Sequence, residues 1–360
     1  IQRDIVSIAP EEVESVIVLK DAAAVALYGY KGINGAINIV TKRGKYNTRS
    51  VKVTYDHLFT SLANKPKFVD AYTYGLAVNE ARINDGMTGR YSNQELNALR
   101  DGTMPYLYPN VNWVDETFRD NAMTNKYNIE FRGGGEKFRY YTMLDLISNK
   151  GFVKEPGANE GYSTQDKYVK GNLRMNMDID LTKTTDLQVN LLGVLQETSR
   201  PGAQADLWDL VYTVPSAAFP IRDKNGVWGG SDTWAGTQNP VAQSVGAAYY
   251  KNHTRSLFAD MKLTQDLSGL TKGLNAFVRI SYDNIANIYE DHSKEYVYSV
   301  NAPTWADGAS EPTVKSEIYG KDSEMGTEAK TNEFDRLLHF DVGFNYQRTF
   351  GDHSIYSQLK

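Results

Sequence analysis

Residues 13–44, VESVIVLKDAAAVALYGYKGINGAINIVTKRG, decide how this chain is read. Val16, Val18 and Leu19 mark an apolar strand, and Ala22 to Leu27 is a compact, small-residue run that favours helix. Gly29, Gly32 and Gly35 let the backbone turn sharply before Ala36 to Thr41 resumes an extended course. The predicted unit is strand, short helix, glycine-punctuated turn, strand. Its glycine spacing does not match G-x-G-x-x-G, which rejects a dinucleotide-binding loop.

Past this unit and a polar joint over Lys45 to Thr48, the texture changes to long alternating strands. Val51, Val53 and Tyr55 oppose Lys52, Thr54 and Asp56; Tyr127, Ile129 and Phe131 oppose Asn128, Glu130 and Arg132. Phe138, Tyr140, Thr142, Leu144 and Leu146 form a mostly apolar face. The clearest case is Val169 to Ile179, where apolar residues alternate with Lys170, Asn172, Arg174, Asn176 and Asp178. Further strands are predicted over Leu187 to Gln196, Leu257 to Leu267, Leu274 to Asp283 and Leu338 to Tyr346, with a ninth starting near Ser354. Alternation with period two gives each strand one apolar and one polar face. The polar faces carry charge from end to end, as a water-filled lumen permits, and several strands reach the roughly nine to eleven residues that crossing a bilayer needs.

The connections alternate in length. Gly133 to Glu136, Thr182 to Asp186, Ser268 to Gly273 and Gly351-Asp352 read as tight hairpins. Between them lie long segments, about 62–122, 149–166, 200–253 and 288–335. Strict short–long alternation is the pattern of outer-membrane barrels, with short periplasmic turns and long external loops. The 13–44 unit enters the first strand from the side of the short turns. The first long loop carries its own helices: an amphipathic one over Val69 to Asn84, with Tyr72, Leu76, Asn79 and Ile83 on neighbouring turns, and a second opened by the capping box Ser92-Asn93-Gln94-Glu95.

Composition agrees. No window approaches the ~18 apolar residues of a spanning helix, and the mean hydropathy is −0.49. Neither observation bears against a membrane β-barrel. Twenty-four tyrosines suit interfacial girdles and sugar-binding surfaces. A net charge of −5 argues against a general nucleic-acid binder. Zero cysteines exclude disulfides, thiol catalysis and cysteine zinc sites. Ile1 to Ile5 carries no signal peptide, so a processed or internal segment is expected.

The 13–44 stretch resembles the end of the plug domain of TonB-dependent outer-membrane transporters. It is most similar to the SusC/RagA-like branch, whose plug ends V-L-K-D-A-[AS]-A-x-A-L-Y-G-x-x-G-x-N-G-x-I-x-I-x-T-K-[RK]-G. The residues carrying this signature are Leu19, Lys20, Asp21, Ala24, Leu27, Tyr28, Gly29, Gly32, Asn34, Gly35, Ile37 and Thr41. Tyr106 to Phe118 also resembles that family, and with the strands the likeness covers nearly the whole chain. The resemblance implies an all-β fold: residues 1–47 ending an α+β plug, and 48–360 forming the first part of a transmembrane antiparallel barrel. Nine strands are too few to close the barrel of about 22 strands such transporters have. The start of the plug, the segment that engages TonB and the other strands are expected outside this sequence. The resemblance further implies active import across the Gram-negative outer membrane, energy from periplasmic TonB, a SusD-like surface lipoprotein as lid, and oligosaccharide cargo, with peptides in some members.

Other sites are weighed against plainer readings. His57, His253, His292, His339 and His353 lack metal-ligand spacing, and no metal or cofactor is expected. No nucleophile elbow or acid–base set points to an enzyme. Gly133 to Lys137 lacks a phosphate-loop ending and sits between strands. Asp178 and Asp180 read as lumen-facing carboxylates rather than a calcium loop. In the third long loop Trp208, Tyr212, Trp228 and Trp234, with Phe219 nearby, are candidates for substrate or lid contact; their plainer role is packing. The competing readings are a siderophore or cobalamin receptor of the same architecture and a soluble β-rich carbohydrate-binding module.

Overall fold

A computed structural model describes residues 8–20, 29–154, 162–164, 166–202 and 206–359. A tight turn at Pro10–Glu12 leads into β1 (Val13–Leu19), which pairs antiparallel with β2 (Ala36–Thr41), Leu19 facing Ala36 and Val13 facing Thr41. Both strands fall where the sequence places them, because their β-branched residues suit a pleated surface. A turn at Gly29–Gly32 precedes β2, and Gly35 has φ +85°, where any Cβ would also come within 3.0 Å of the Leu19 carbonyl oxygen. The helix expected over Ala22 to Leu27 lies outside the described residues.

The chain then builds one sheet from β3 (Arg49–Ser61), β4 (Asn121–Gly134), β5 (Phe138–Lys150), β6 (Lys167–Asp180), β7 (Thr185–Pro201), β9 (Tyr249–Asp266), β10 (Leu274–Ser293), β13 (Gly326–Phe350) and β14 (His353–Leu359). These nine strands are ordered in space as in sequence, every neighbouring pair antiparallel, and the sheet has free edges at β3 and β14. They are the nine strands expected. Register sorts their residues into rows. One row runs Val53, Ile129, Leu144, Leu173, Gly193, Leu257; the next, on the opposite face, runs Lys52, Glu130, Met143, Arg174, Leu192, Phe258. The apolar rows are the exposed ones: Val53 is 69% accessible and Leu173 44%, whereas Arg174 and Asp178 are each 6% accessible. This inverts the arrangement of a water-soluble sheet, whose apolar side faces its core.

Several strands outrun their expected ends: residues 249–253, read as loop, lengthen β9, and β10 and β13 are extended furthest. Ile288–Ser293 and Gly326–Asp335, read as loop from the sequence, continue the β10–β13 ladder. Thr327, Glu328, Lys330, Thr331, Asn332 and Glu333 are polar on both faces, so no alternation marks them, yet backbone pairing continues.

All short turns lie at one end of the sheet. Gly135 N–H donates to the Phe138 carbonyl, Leu181 N–H to Thr185, and Leu267 N–H to Leu274, while Gly351 turns at φ +58°. The joint from β2 into β3 runs past the same end, with Gly134 N–H on the Thr48 carbonyl at 2.9 Å. The opposite end carries the long connections. The first holds α1 (Ala71–Asn84), α2 (Asn93–Asp101) and α3 (Trp113–Thr117); the third holds α4 (Leu207–Thr213), β8 (Trp228–Gly230) and α5 (Pro240–Gly246). A small third sheet, not expected, joins β8 in parallel to β11 (Tyr298–Thr304), which pairs antiparallel with β12 (Thr313–Tyr319).

α1 departs from its expected face. Asp70 caps it by accepting from Thr73 N–H at 2.8 Å, so it starts two residues later than predicted. Its buried residues are Ala71 and Gly75, while Leu76 and Ile83 are exposed. Close approach decides this: a Cβ at Gly75 would stand 3.0 Å from a Leu96 methyl. α2 follows the sequence reading, with the reciprocal Ser92–Glu95 capping box and Gly102 ending it at φ +64°.

Candidate functional site

The polar wall of β4 to β7 is where the hairpin sits. Arg174 on β6 forms a buried ion pair with Glu12, whose other oxygen accepts from Ala9 N–H at 3.0 Å; Glu12 is fully buried. Beside it, Lys126 on β4 meets Glu11 at 2.5 Å, and Arg132 lies 3.6 Å from Glu14. A second group of contacts comes from residues 41–46, where the chain leaves β2. Asn176 donates to Thr41 Oγ1 at 3.1 Å and to the Lys42 carbonyl at 2.7 Å. Lys42 meets Glu130 at 3.2 Å, Arg43 meets Asp178 at 2.5 Å and Asn190 at 2.9 Å, and Tyr46 donates to Asp180 at 3.0 Å. Gly44 is pressed onto the wall: a Cβ there would lie 2.2 Å from the Tyr140 nitrogen and 2.7 Å from the Gly133 carbonyl. Burial and Asp180 push the Tyr46 hydroxyl above its usual pKa.

Charge on the inward face of a strand therefore serves to seat another part of the chain. Asp178 and Asp180, read from sequence as lumen carboxylates, are on that face and hold Arg43 and Tyr46. Of the signature residues, Leu19 ends β1, Gly29 and Gly32 bound the turn, Asn34 and Gly35 follow it, Ile37 is exposed on β2, and Thr41 touches Asn176. Lys20 is exposed beside β1. Asp21, Ala24, Leu27 and Tyr28 lie outside the described residues.

At the far end the loops share two apolar clusters. One contains Trp113, Val114, Phe118, Val153, Val211, Val214 and Phe219; the other joins Ala71, Ala98, Leu99 and Tyr108, with Trp305 packed on it. Trp305 Nε1 donates to Tyr108 at 2.6 Å, and burial pushes the Tyr108 hydroxyl up to about 12. The four aromatic candidates divide among these surroundings. Trp208 stacks on Phe118 at 4.2 Å, and Trp234 packs half-buried against the first cluster. Trp228 lies under the Arg222 guanidinium at 3.4 Å and edges Tyr296. Tyr212 is 57% accessible and meets Phe68 edge-on. Trp208, Tyr212 and Phe68 thus form an aromatic run leading outward. It borders a cleft of about 190 Å³ lined by Phe68, Tyr74, Val111, Trp113, Tyr212 and Val214. Two polar atoms near it are already engaged: Trp113 Nε1 donates to the Pro215 carbonyl at 3.0 Å and Ser216 Oγ to the Val69 carbonyl at 3.1 Å.

The structure also brings together residues that sequence spacing keeps apart. His253 on β9 sits 3.6 Å from Glu197 on β7 and 3.7 Å from Glu290 on β10, and His292 is 3.2 Å from Glu290 while stacking on Tyr249. Only strand register reveals this meeting, since Glu197, His253 and Ile288 share a row. Among the described residues no group of three such side chains is arranged to hold a metal ion.

A hairpin whose flanking residues are pinned to the charged face of a long antiparallel wall, with the apolar face left open, defines a hairpin-and-wall β architecture. Comparison with known proteins gives that class its kinship: the chain is a homologue of TonB-dependent receptors, SusC among them. It is 25% identical over 266 residues to TonB-dependent receptor P26 of Formosa agariphila, covering 71% of this chain and 24% of that protein. It is 27% identical over 193 residues to receptor P39 of the same organism, covering 54% and 17%. With TonB-dependent receptor SusC of Bacteroides thetaiotaomicron it shares 31% over 147 residues, 40% of this chain and 13% of that one. It thus spans about a quarter or less of the length of these relatives. No family model matches. Among solved structures, the RagAB peptide importer in its open-open and closed-closed states is similar at TM-scores of 0.49 and 0.48, each with 14% identity and 95% of this chain covered, against 48% and 49% of theirs.

Proposed function

We propose that this chain belongs to a TonB-dependent importer of the SusC-like kind. In this reading residues 1–47 end the plug, and 48–360 form the first part of a barrel wall in the outer membrane. The observation that carries it is the sorting of the sheet: charged residues face the seated hairpin, and apolar residues face outward, where a bilayer would cover them. The tight turns and the hairpin share one end, which is periplasmic in this reading, and TonB acts from that side through a segment outside this chain. The external loops receive cargo and a SusD-like surface lipoprotein. No enzymatic step is assigned.

Oligosaccharides are the proposed cargo class. A second reading, peptide cargo, is favoured by one feature: the loop cleft has no charged residue in its lining, only aromatic, aliphatic and hydroxyl side chains. A sugar hydroxyl buried there beyond reach of the Tyr74, Tyr212, Thr213 and Ser216 hydroxyls would cost about 1–3 kcal/mol. Calorimetric titration of the purified full-length transporter with its lipoprotein decides between them. Heat on adding a mixed oligosaccharide pool, with none from an oligopeptide pool, supports the first reading; the reverse supports the second. Uptake that persists without TonB would overturn the importer reading itself.

A further inference from the structure

The contacts between hairpin and wall are of two kinds, and the difference lies in what each wall group keeps when the hairpin leaves. Asp178 takes Arg43 on one oxygen and Arg139 of β5, at 2.8 Å, on the other. Glu130 takes Lys42, but also Lys52 of β3 at 3.5 Å and the Tyr141 hydroxyl at 3.1 Å. Asn190 takes Arg43, yet its amide donates to Asp260 at 3.1 Å. Each of these three therefore retains a partner within the wall when Lys42 and Arg43 let go. Arg174 does not: among the described residues its one carboxylate partner is Glu12, and both side chains are buried, whereas Lys126, which meets Glu11 at the same turn, is more open to solvent with its side chain 19% accessible.

We infer that Glu12 and Arg174 are the positioning pair that fixes the plug against the wall, while residues 42–43 are a strap whose partners exchange at little cost. The inference rests on the plug reading above. An ion with a second partner stays neutralised as a contact opens, whereas a buried ion that loses its only partner is left uncompensated. Opening at the Pro10–Glu12 turn is therefore the resisted step, and opening at the strap follows readily. Asn176, which also touches the strap, is uncharged and leaves no ion behind.

Native-state hydrogen exchange on the full-length transporter in lipid nanodiscs tests this, read on the peptide covering residues 8–18. Glu12→Gln is expected to raise exchange there by at least about tenfold, and Lys42→Gln and Arg43→Gln by less than about threefold. Glu12→Arg combined with Arg174→Glu restores a pair and is expected to recover most of the protection. If Glu12→Gln fails to assemble, Arg174→Lys reads the same contact, because it keeps the charge and loses the guanidinium fork; it is expected to raise exchange above both strap variants. Equal effects of strap and turn variants, no rise with either turn variant, or no recovery in the swapped pair would each overturn the inference. Failure of the barrel reading, on which the plug assignment rests, shows separately, as a wild-type protein whose gel mobility does not change on boiling.

Discussion

Gly44 marks the closest approach of the strap to the wall, and its lack of a side chain is a steric requirement. The backbone atoms it faces, Tyr140 N and Gly133 O, belong to a paired ladder and cannot withdraw cheaply. Gly44→Ala is expected to destabilise the full-length protein by about 1–3 kcal/mol, the range for forced overpacking, and to lower its thermal midpoint in detergent. An unchanged midpoint would mean that the strap does not lie on the wall. Tyr108 offers a pH test at the other end. Below pH ~10 its hydroxyl is protonated in folded and unfolded chains alike, so its contribution to stability is complete there. That contribution is lost as pH rises through about 12, the folded value. Titration of tyrosinate absorbance should show a late-titrating tyrosine that is absent in Tyr108→Phe. Neither site was singled out in the sequence. Gly44 is simply the last residue of the signature, and the need for glycine there comes from a strand ~90 residues further on.

Elements were legible to the extent that one physical signal governed them. β6 was legible because every second residue is charged or amide-bearing, and β1 and β2 because they are short and rich in β-branched residues, with Gly35 just before β2. The outer parts of β10 and β13 were not, since polar residues on both faces leave no period to read. α1 showed a helical spacing but not its buried side, which the small Gly75 decides through contact with α2. β8, β11 and β12 pair across distant loops, beyond any local pattern. The sorting of faces makes an element-scale prediction. Leu173→Arg puts a charge on the outward side of β6 and is expected to cost about 2–4 kcal/mol in a bilayer. Equilibrium unfolding from lipid vesicles measures it, and a loss below 1 kcal/mol, roughly what a water-exposed site shows, would place that side in solvent.

For the whole molecule, the alternation of tight turns and long connections predicts that the turns share one end of the wall, and in the structure they do, with the long connections at the other. The seating of the hairpin was not legible, because ion pairs such as Arg174–Glu12 join residues far apart in sequence. In the proposed arrangement the wall's apolar side meets lipid and its charged side meets the plug. The chain has no cysteine to interfere with labelling. Single cysteines at positions 172 to 177, spin-labelled in the full-length protein in proteoliposomes, test the claim most directly. Labels at Leu173, Met175 and Met177 are expected to collide with lipid-dissolved oxygen, and labels at Asn172, Arg174 and Asn176 to be shielded from both oxygen and a water-soluble nickel chelate. Labels that respond alike at odd and even positions, or odd positions open to the chelate, would contradict it.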